Sequence, residues 1–170
     1  MLERMRLFIS INLDDNIKEA LTSIQDAMKL KGVRGNFTRP ENMHLTLAFI
    51  GEYGDPDYLK DIIDGIAITP FDIKLKGLGT FGNIWWVGVE KNDRLETLAR
   101  ILRRKLSEAG VPFDRKRFSP HITLVRKPES AMPLTPGDYA DLLVGKSMTV
   151  DHISLMRSDR GKNGMIYTEI

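Results

Sequence analysis

The sequence predicts an α+β fold made of two similar lobes that face each other across a central cleft. The first observation is the motif His-x-Thr-Leu, which begins at His44 and again at His121 in a chain of 170 residues. The second is the distance between the copies, which is close to half of the chain and indicates an internal duplication. Two long repeats are too few for a solenoid, whose repeats are short and numerous. We therefore predict one bilobal domain over residues 1–170, with repeat halves at about 1–80 and 81–170.

The first half alternates strand and helix patterns. Segment 6–13 places apolar residues on one face of an extended chain, which is typical of a half-buried strand. The next segment has apolar residues at helical spacing, Asp14 or Asp15 as a cap, and Gly32 as a terminator. The predicted elements are a strand at 6–13, a helix ended by Gly32, a loop at 35–42, a strand at 44–51, a helix at 57–68 and a strand at 71–76.

The second half repeats this order. Asp93 follows Asp15 at nearly the same offset as the two motifs, which places equivalent helix starts in both halves. The tail at 158–170 has no counterpart in the first half. The predicted elements are a strand at 83–90, a leucine-striped helix before Gly110, a basic loop at 111–120, the His121 strand, a connection at 128–138, a short helix at 139–144 and a strand at 148–156.

Composition limits the class of protein. With 42% hydrophobic and 28% charged residues, the chain can bury a sizeable core. No apolar run approaches the roughly 18 residues of a membrane span, and segment 1–13 lacks the apolar stretch of a signal peptide. We therefore expect a cytoplasmic protein without membrane contact. Separately, we expect it to be a monomer. The absence of Cys excludes disulfides, thiol nucleophiles and zinc–thiolate sites.

The formal net charge of +2 is small, but basic residues surround both motifs. This local concentration favours an anionic ligand, although a solvated loop would show the same pattern. The basic residues concerned are Arg34, Arg39, Arg115, Lys116, Arg117 and Arg126.

Each motif strand offers one imidazole and one hydroxyl on the same face, because side chains two residues apart in a strand point the same way. The two pairs are His44 with Thr46 and His121 with Thr123. One histidine can be neutral while the other is protonated near neutral pH, so the pair can act as base and acid. Threonine hydroxyls and a nearby Arg126 suit a phosphate. We therefore predict in-line attack at phosphorus, with no metal and no cofactor.

Arg126 lies five residues after His121, so strict alternation would place it on the opposite face of the strand. Either the strand ends before it or a bulge redirects it. The equivalent residue in the first half is Phe49, so the cleft is expected to be cationic on one side and apolar on the other.

Three other readings remain open. Two histidines could bind a metal, but a metal site needs a third or fourth ligand, and these motifs supply Thr. A non-catalytic RNA-binding module could use the basic loops and the aromatic residues Phe8, Phe37 and Phe118. A third interpretation, which rests on the family resemblance given in the next paragraphs, is a ligase subunit of an RNA-processing assembly, which would need two RNA ends and a stable partner. The third histidine, His152, has no Thr two residues later and is predicted to be structural in the last core strand.

The paired motifs resemble those of the 2H phosphoesterase superfamily, and within it the RNA 2′,3′-cyclic phosphodiesterase family, once named 2′,5′-RNA ligase. The resemblance covers essentially the whole chain. It implies two antiparallel sheets facing a central cleft, with helices packed on the outside. The matching segments are 6–8, 42–47, 49–51, 78–81 and 120–126.

The resemblance also implies an activity: metal-independent cleavage of terminal 2′,3′-cyclic phosphates to 2′-phosphates on RNA or oligonucleotide ends, sometimes with 2′,5′-linkage formation. In the family pattern, the two histidines and two threonines carry the phosphate chemistry, with Arg126 and Phe8 lining the site. We assign Phe8 and Phe49 to base binding, His44 to the acid and His121 to the base, although the sequence itself does not distinguish the two roles. Phe37 stands where the pattern suggests Trp.

Overall fold

A computed structural model describes residues 4–170 and shows two antiparallel sheets with four α-helices. The first sheet has the strand order β3-β1-β8-β9, and the second has the order β2-β6-β5-β4-β7. The elements are β1 (Met5–Asn12), α1 (Asp15–Leu30), β2 (Arg34–Phe37), β3 (His44–Tyr53), α2 (Pro56–Asp64), β4 (Phe71–Phe81), β5 (Ile84–Val89), α3 (Asp93–Glu108), β6 (His121–Glu129), α4 (Ala140–Leu143), β7 (Ser147–Val150), β8 (Ser154–Gly161) and β9 (Gly164–Glu169), with a 3-10 turn at Pro40–Asn42.

The two long helices begin as predicted. The Asp14 side chain accepts from the backbone N–H of Ile17 at the start of α1, and Asn92 does the same for Leu95 at the start of α3. Each helix buries an apolar face against a sheet. The α+β class, with two antiparallel sheets and outer helices, is confirmed.

The two halves of the chain exchange elements. Strand β4 from the first half lies in the second sheet beside β5, and β8 from the second half lies in the first sheet beside β1. Helix α1 packs against β6 and β7, whereas α3 packs against β3. The strand–helix–strand–helix–strand order predicted for the first half was expected to form one closed unit. This expectation is wrong, because the last of these strands, β4, belongs to the opposite sheet.

Two segments for which no strand was predicted contain strands. Strand β2 begins one residue before the loop predicted at 35–42 and covers its first three residues, and the tail at 158–170, for which only the lack of a counterpart was noted, completes β8 and forms β9. Both β2 and β9 are edge strands whose side chains are mostly exposed. Since little of either strand is buried, neither shows the apolar alternation by which a strand is recognised.

The single strand predicted at 148–156 is two strands in different sheets. Strand β7 pairs with β4, and β8 pairs with β1, so the chain crosses between the sheets at residues 151–153. His152 lies in this crossing, is exposed, and contacts Asp151 Oδ1 through Nδ1 at 2.6 Å. Its predicted place in a core strand is therefore wrong.

Strand β4 runs five residues further than predicted, through two glycines that the sequence suggested were turns. Gly77 has φ of 73°, and the pairing with β5 shifts between Leu75 and Leu78, which marks a bulge rather than a strand end. Helix α2 ends at Asp64, earlier than the predicted 68, with Gly65 as its C-terminal cap.

No helix among residues 4–170 is long and apolar enough to span a membrane.

Candidate active site

The two motif strands lie next to each other, with β3 in one sheet and β6 in the other. Both show the same order of burial over their first six residues: half-buried and buried residues alternate, then two consecutive buried residues precede an exposed one. The half-buried residues are His44 and Thr46 in β3 and His121 and Thr123 in β6. The predicted shared face of each His–Thr pair is thus seen in the structure.

Both imidazoles are oriented by the same hydrogen bond. Nδ1 of His44 lies 2.7 Å from the carbonyl oxygen of Asn42, and Nδ1 of His121 lies 2.8 Å from that of Ser119. A carbonyl oxygen can only accept, so Nδ1 carries the proton and donates in each ring. Nε2 is therefore the unprotonated nitrogen of each ring when that ring is neutral.

The C-terminal hairpin supports the residues that orient His44. Asn42 Nδ2 donates to the backbone oxygen of Met165 at 2.9 Å, and Arg39 Nη2 donates to the same oxygen at 2.6 Å. Met165 lies in β9, so the hairpin of β8 and β9 holds the turn that precedes β3. This support joins positions far apart in the chain, so no local sequence pattern predicts it.

Burial and positive charge lower the pKa of His44 to about 4. Desolvation is the largest cause, the Asn42 carbonyl opposes it, and the charges of Arg126 and His121 lower the pKa further. His44 is therefore neutral at neutral pH when the site contains no anion. The charge of Arg126 therefore acts on the first motif, although Arg126 lies on the second motif strand.

A β-bulge accounts for the position of Arg126. Trp85 of β5 pairs with Val125 and Trp86 pairs with Thr123, so Leu124 is an extra residue in β6. A bulge reverses the alternation after it, and Arg126 is exposed although it lies at an odd spacing from His121. Of the two explanations left open by the sequence, the bulge is confirmed.

Strand β3 has the equivalent bulge. Ile9 of β1 pairs with Ala48 and Ser10 pairs with Thr46, so Leu47 is the extra residue. Phe49 then takes the place that Arg126 has in β6, and its side chain is 52% exposed.

Aromatic rings surround both histidines. Phe8 lies 4.8 Å from the His44 ring, and Tyr167 meets that ring edge-on at 5.2 Å. Phe81 meets His121 edge-on at 5.0 Å, and Trp86 lies 6.2 Å from it. Sequence reasoning missed Tyr167, Phe81 and Trp86 as site residues.

The sequence contains evidence for some of these missed site residues but not for others. Trp86 could have been found, because it pairs with Thr123 across two neighbouring strands that the pattern predicts. It also packs closely over Gly79, where an added Cβ would lie 2.2 Å from the indole. Tyr167 had no signal, because the β9 strand that carries it was not predicted.

Several residues predicted to contact a ligand are occupied within the protein. Phe8 is 4% exposed and packs beneath His44, so it supports the imidazole rather than offering a free face to a base. Arg115 donates to Ser107 Oγ at 2.9 Å and lies 4.1 Å from the Phe113 ring. Arg126 and Phe49 stay exposed beside the motifs.

Within residues 4–170, no group of three or more His, Cys, Asp or Glu is arranged to hold a metal ion.

Two antiparallel sheets, each presenting one His-x-Thr strand at a common site, define a 2H phosphoesterase fold. The chain belongs to the 2′-5′ RNA ligase superfamily, whose family model matches residues 13–162. A protein of Methanocaldococcus jannaschii named RNA 2′,3′-cyclic phosphodiesterase is 34% identical over 98% of both chains. E. coli LigT is 27% identical, with a TM-score of 0.83 for its apo structure and 0.82 for its complex with 3′-AMP, over 99% of this chain and 95% of LigT.

Proposed function

We propose that the protein is an RNA 2′,3′-cyclic phosphodiesterase that opens terminal cyclic phosphates by His/His acid–base catalysis without a metal. The observation that carries the proposal is the pair of matched imidazoles, each with Nδ1 bound to a carbonyl and Nε2 left free. The substrate class is supported by the similarity to the M. jannaschii RNA 2′,3′-cyclic phosphodiesterase and to E. coli LigT, which forms a complex with 3′-AMP.

In the proposed reaction, Nε2 of His121 removes a proton from water as the water oxygen attacks phosphorus. The bond from phosphorus to the 3′ oxygen breaks, and His44 donates the proton that this oxygen takes up, so the product is a 2′-phosphate. General acid and base catalysis typically contribute about 10²- to 10⁴-fold each. Thr46, Thr123 and the Arg126 guanidinium stabilise the charge on the non-bridging oxygens.

His44 can act as the acid only if substrate binding raises its pKa, so that the ring takes up a proton. In the empty site the pKa of His44 is low, at about 4, because the ring is desolvated and lies near Arg126 and His121. A bound phosphodiester anion places a negative charge next to both the ring and the guanidinium, which raises the pKa of the ring. Proton uptake by His44 is thus coupled to binding of the anionic substrate.

The base of the terminal nucleotide is proposed to stack on Phe49, the exposed aromatic residue that follows the β3 bulge. Base stacking on an exposed aromatic ring is worth about 1–3 kcal/mol. Phe8, which is buried, is not included in this contact.

The competing hypothesis is that the protein is a non-catalytic RNA-binding module. Binding alone needs cations and aromatic faces, whereas two imidazoles held in one tautomer serve proton transfer. The same groups could also run the reverse reaction and form a 2′,5′ linkage, in keeping with the family's name.

The test is hydrolysis of a short RNA ending in a 2′,3′-cyclic phosphate, with and without EDTA. We expect EDTA-resistant conversion to a 2′-phosphate, read by mass and by resistance to enzymes that act on 3′-phosphates. His44→Ala and His121→Ala should each lower kcat by about 10²-fold or more, and the double variant should lose far less than the product of both losses. Binding without turnover, or activity abolished by EDTA and restored by a divalent metal, would refute the proposal.

A further inference from the structure

Gln25 is a buried polar residue on the apolar face of α1, and it is the only glutamine in the chain. Its side chain is 4% exposed. Nε2 of Gln25 donates to the carbonyl oxygen of Thr38 at 2.8 Å and to that of Leu124 at 3.0 Å. An amide nitrogen has two protons, so these two hydrogen bonds use its full donor capacity.

The two acceptors lie at the bulge that redirects Arg126. Leu124 is the extra residue of β6, and its carbonyl oxygen also accepts from the Thr38 N–H at 2.9 Å. The carbonyl of the extra residue therefore accepts one hydrogen bond from the backbone and a second from the Gln25 side chain. Gln25 thus ties the bulge and the chain segment before the first motif to one helix.

The other half of the molecule contains the same arrangement with a different side chain. Arg103 occupies the equivalent position in α3 and donates through Nε to the carbonyl oxygen of Leu47 at 3.1 Å. Its Nη1 donates to the carbonyl oxygen of Lys116 at 2.7 Å, in the loop before the second motif. Leu47 is the extra residue of the β3 bulge. Bracing of the bulge is therefore shared by both halves, although the side chain that provides it differs.

We propose that Gln25 is a positioning residue for Arg126, acting through the carbonyl oxygen of Leu124 at the β6 bulge. Gln25 does not touch the reacting atoms. Its two hydrogen bonds fix the bulge, and the bulge fixes the direction in which the guanidinium leaves the strand. The proposal rests on the proposed function where it concerns catalysis, because the phosphate contact of Arg126 is part of that function.

The first test is a double-mutant cycle with Gln25→Met and Arg126→Met. Gln25→Met keeps the volume of the side chain but removes both donors, so we expect kcat/KM to fall by roughly 10- to 100-fold through misplacement of Arg126. In the double variant, kcat/KM should equal that of Arg126→Met alone, because there is no longer a guanidinium to position. Losses that multiply would overturn the proposal.

A matched control separates positioning from simple destabilisation. Ile24→Val changes a fully buried residue of the same helix and should lower the free energy of unfolding by about 0.5–1.5 kcal/mol while leaving kcat/KM unchanged. If Gln25→Met does not fold, Gln25→Asn replaces it, since its amide is one methylene too short to reach both carbonyls. An activity loss in Ile24→Val equal to that in the Gln25 variant would also overturn the proposal.

The second test needs no substrate and therefore separates this proposal from the proposed function. NMR titration of the His44 ring should show a higher pKa in Gln25→Met than in the unaltered protein, because the charge of Arg126 lowers this pKa and would move away. The double variant should titrate like Arg126→Met. An unchanged pKa in Gln25→Met would overturn the positioning role. Inactivity of the unaltered protein would instead refute the proposed function and leave this titration interpretable.

Discussion

At the scale of single residues, the two histidines have equal hydrogen bonds and unequal surroundings. Each Nδ1 donates to the carbonyl two residues before it, so local geometry is repeated by the duplication. The surroundings are not repeated, because the residue after the bulge is Arg126 in one strand and Phe49 in the other. Desolvation is the largest cause of the lowered pKa of His44, and the charge of Arg126 lowers it further.

The pH dependence of the rate follows from the lowered pKa of His44. The active site needs one proton shared by the two imidazoles, so the rate falls when both rings are protonated and again when neither is. The pKa of His44 is lowered from 6.5 to about 4, so addition of the second proton is displaced to acid. We expect kcat/KM to stay high well below pH 6 and to decline only towards pH 4.

The measurement is a profile of kcat/KM against pH on a cyclic-phosphate dinucleotide at constant ionic strength. Far-UV circular dichroism at each pH serves as the control for unfolding. An acidic limb that begins near pH 6.5 in folded protein would contradict the lowered pKa of His44.

At the scale of elements, the strands that carry the chemistry are those that the sequence predicts best. β3 and β6 have one buried face, so their apolar alternation is visible in the sequence up to the bulge. The bulge is marked by two consecutive buried residues, Leu124 and Val125. Which face of the strand Arg126 then takes depends on the pairing of β6 with β5. The elements that support the site, β2 and β9, lie at sheet edges and are set by long-range pairing, so periodicity could not reveal them.

The β8–β9 hairpin should act on catalysis through Asn42. Asn42→Ala removes the donor to Met165 and loosens the turn whose carbonyl orients His44, so we expect kcat to fall by about 10-fold or more with a smaller change in KM. Glu108→Ala is the control, because Glu108 lies in α3, outside this turn, and forms an exposed ion pair with Arg104. Equal kcat values for the two variants would show that the hairpin has no part in orienting His44.

At the scale of the whole molecule, the duplication is intertwined rather than side by side. Each sheet contains strands from both halves of the sequence, and each long helix packs on the sheet that holds the other half's motif strand. The offset between the motifs indicates the duplication, but it does not indicate which strand is exchanged. Each sheet is therefore complete only when strands from both halves of the chain have come together.

The two sheets are therefore expected to unfold together. Leu155→Ala removes a side chain that is 3% exposed in β8 of the first sheet, and it should lower the free energy of unfolding by about 2–5 kcal/mol. Both tryptophans lie in β5 of the second sheet, so their fluorescence reports on a sheet that this substitution does not touch. We expect the fluorescence midpoint in urea to shift as far as the midpoint from circular dichroism.

The reciprocal variant completes this test. Val150→Ala alters β7 in the second sheet, where the side chain is 1% exposed, and should shift both midpoints together in the same way. Two-state unfolding predicts coincident transitions in all three proteins, because loss of either sheet removes strands that belong to both halves. A fluorescence midpoint that stays fixed in Leu155→Ala while the circular dichroism midpoint falls would mean that the sheets unfold separately, and that the exchange does not couple them.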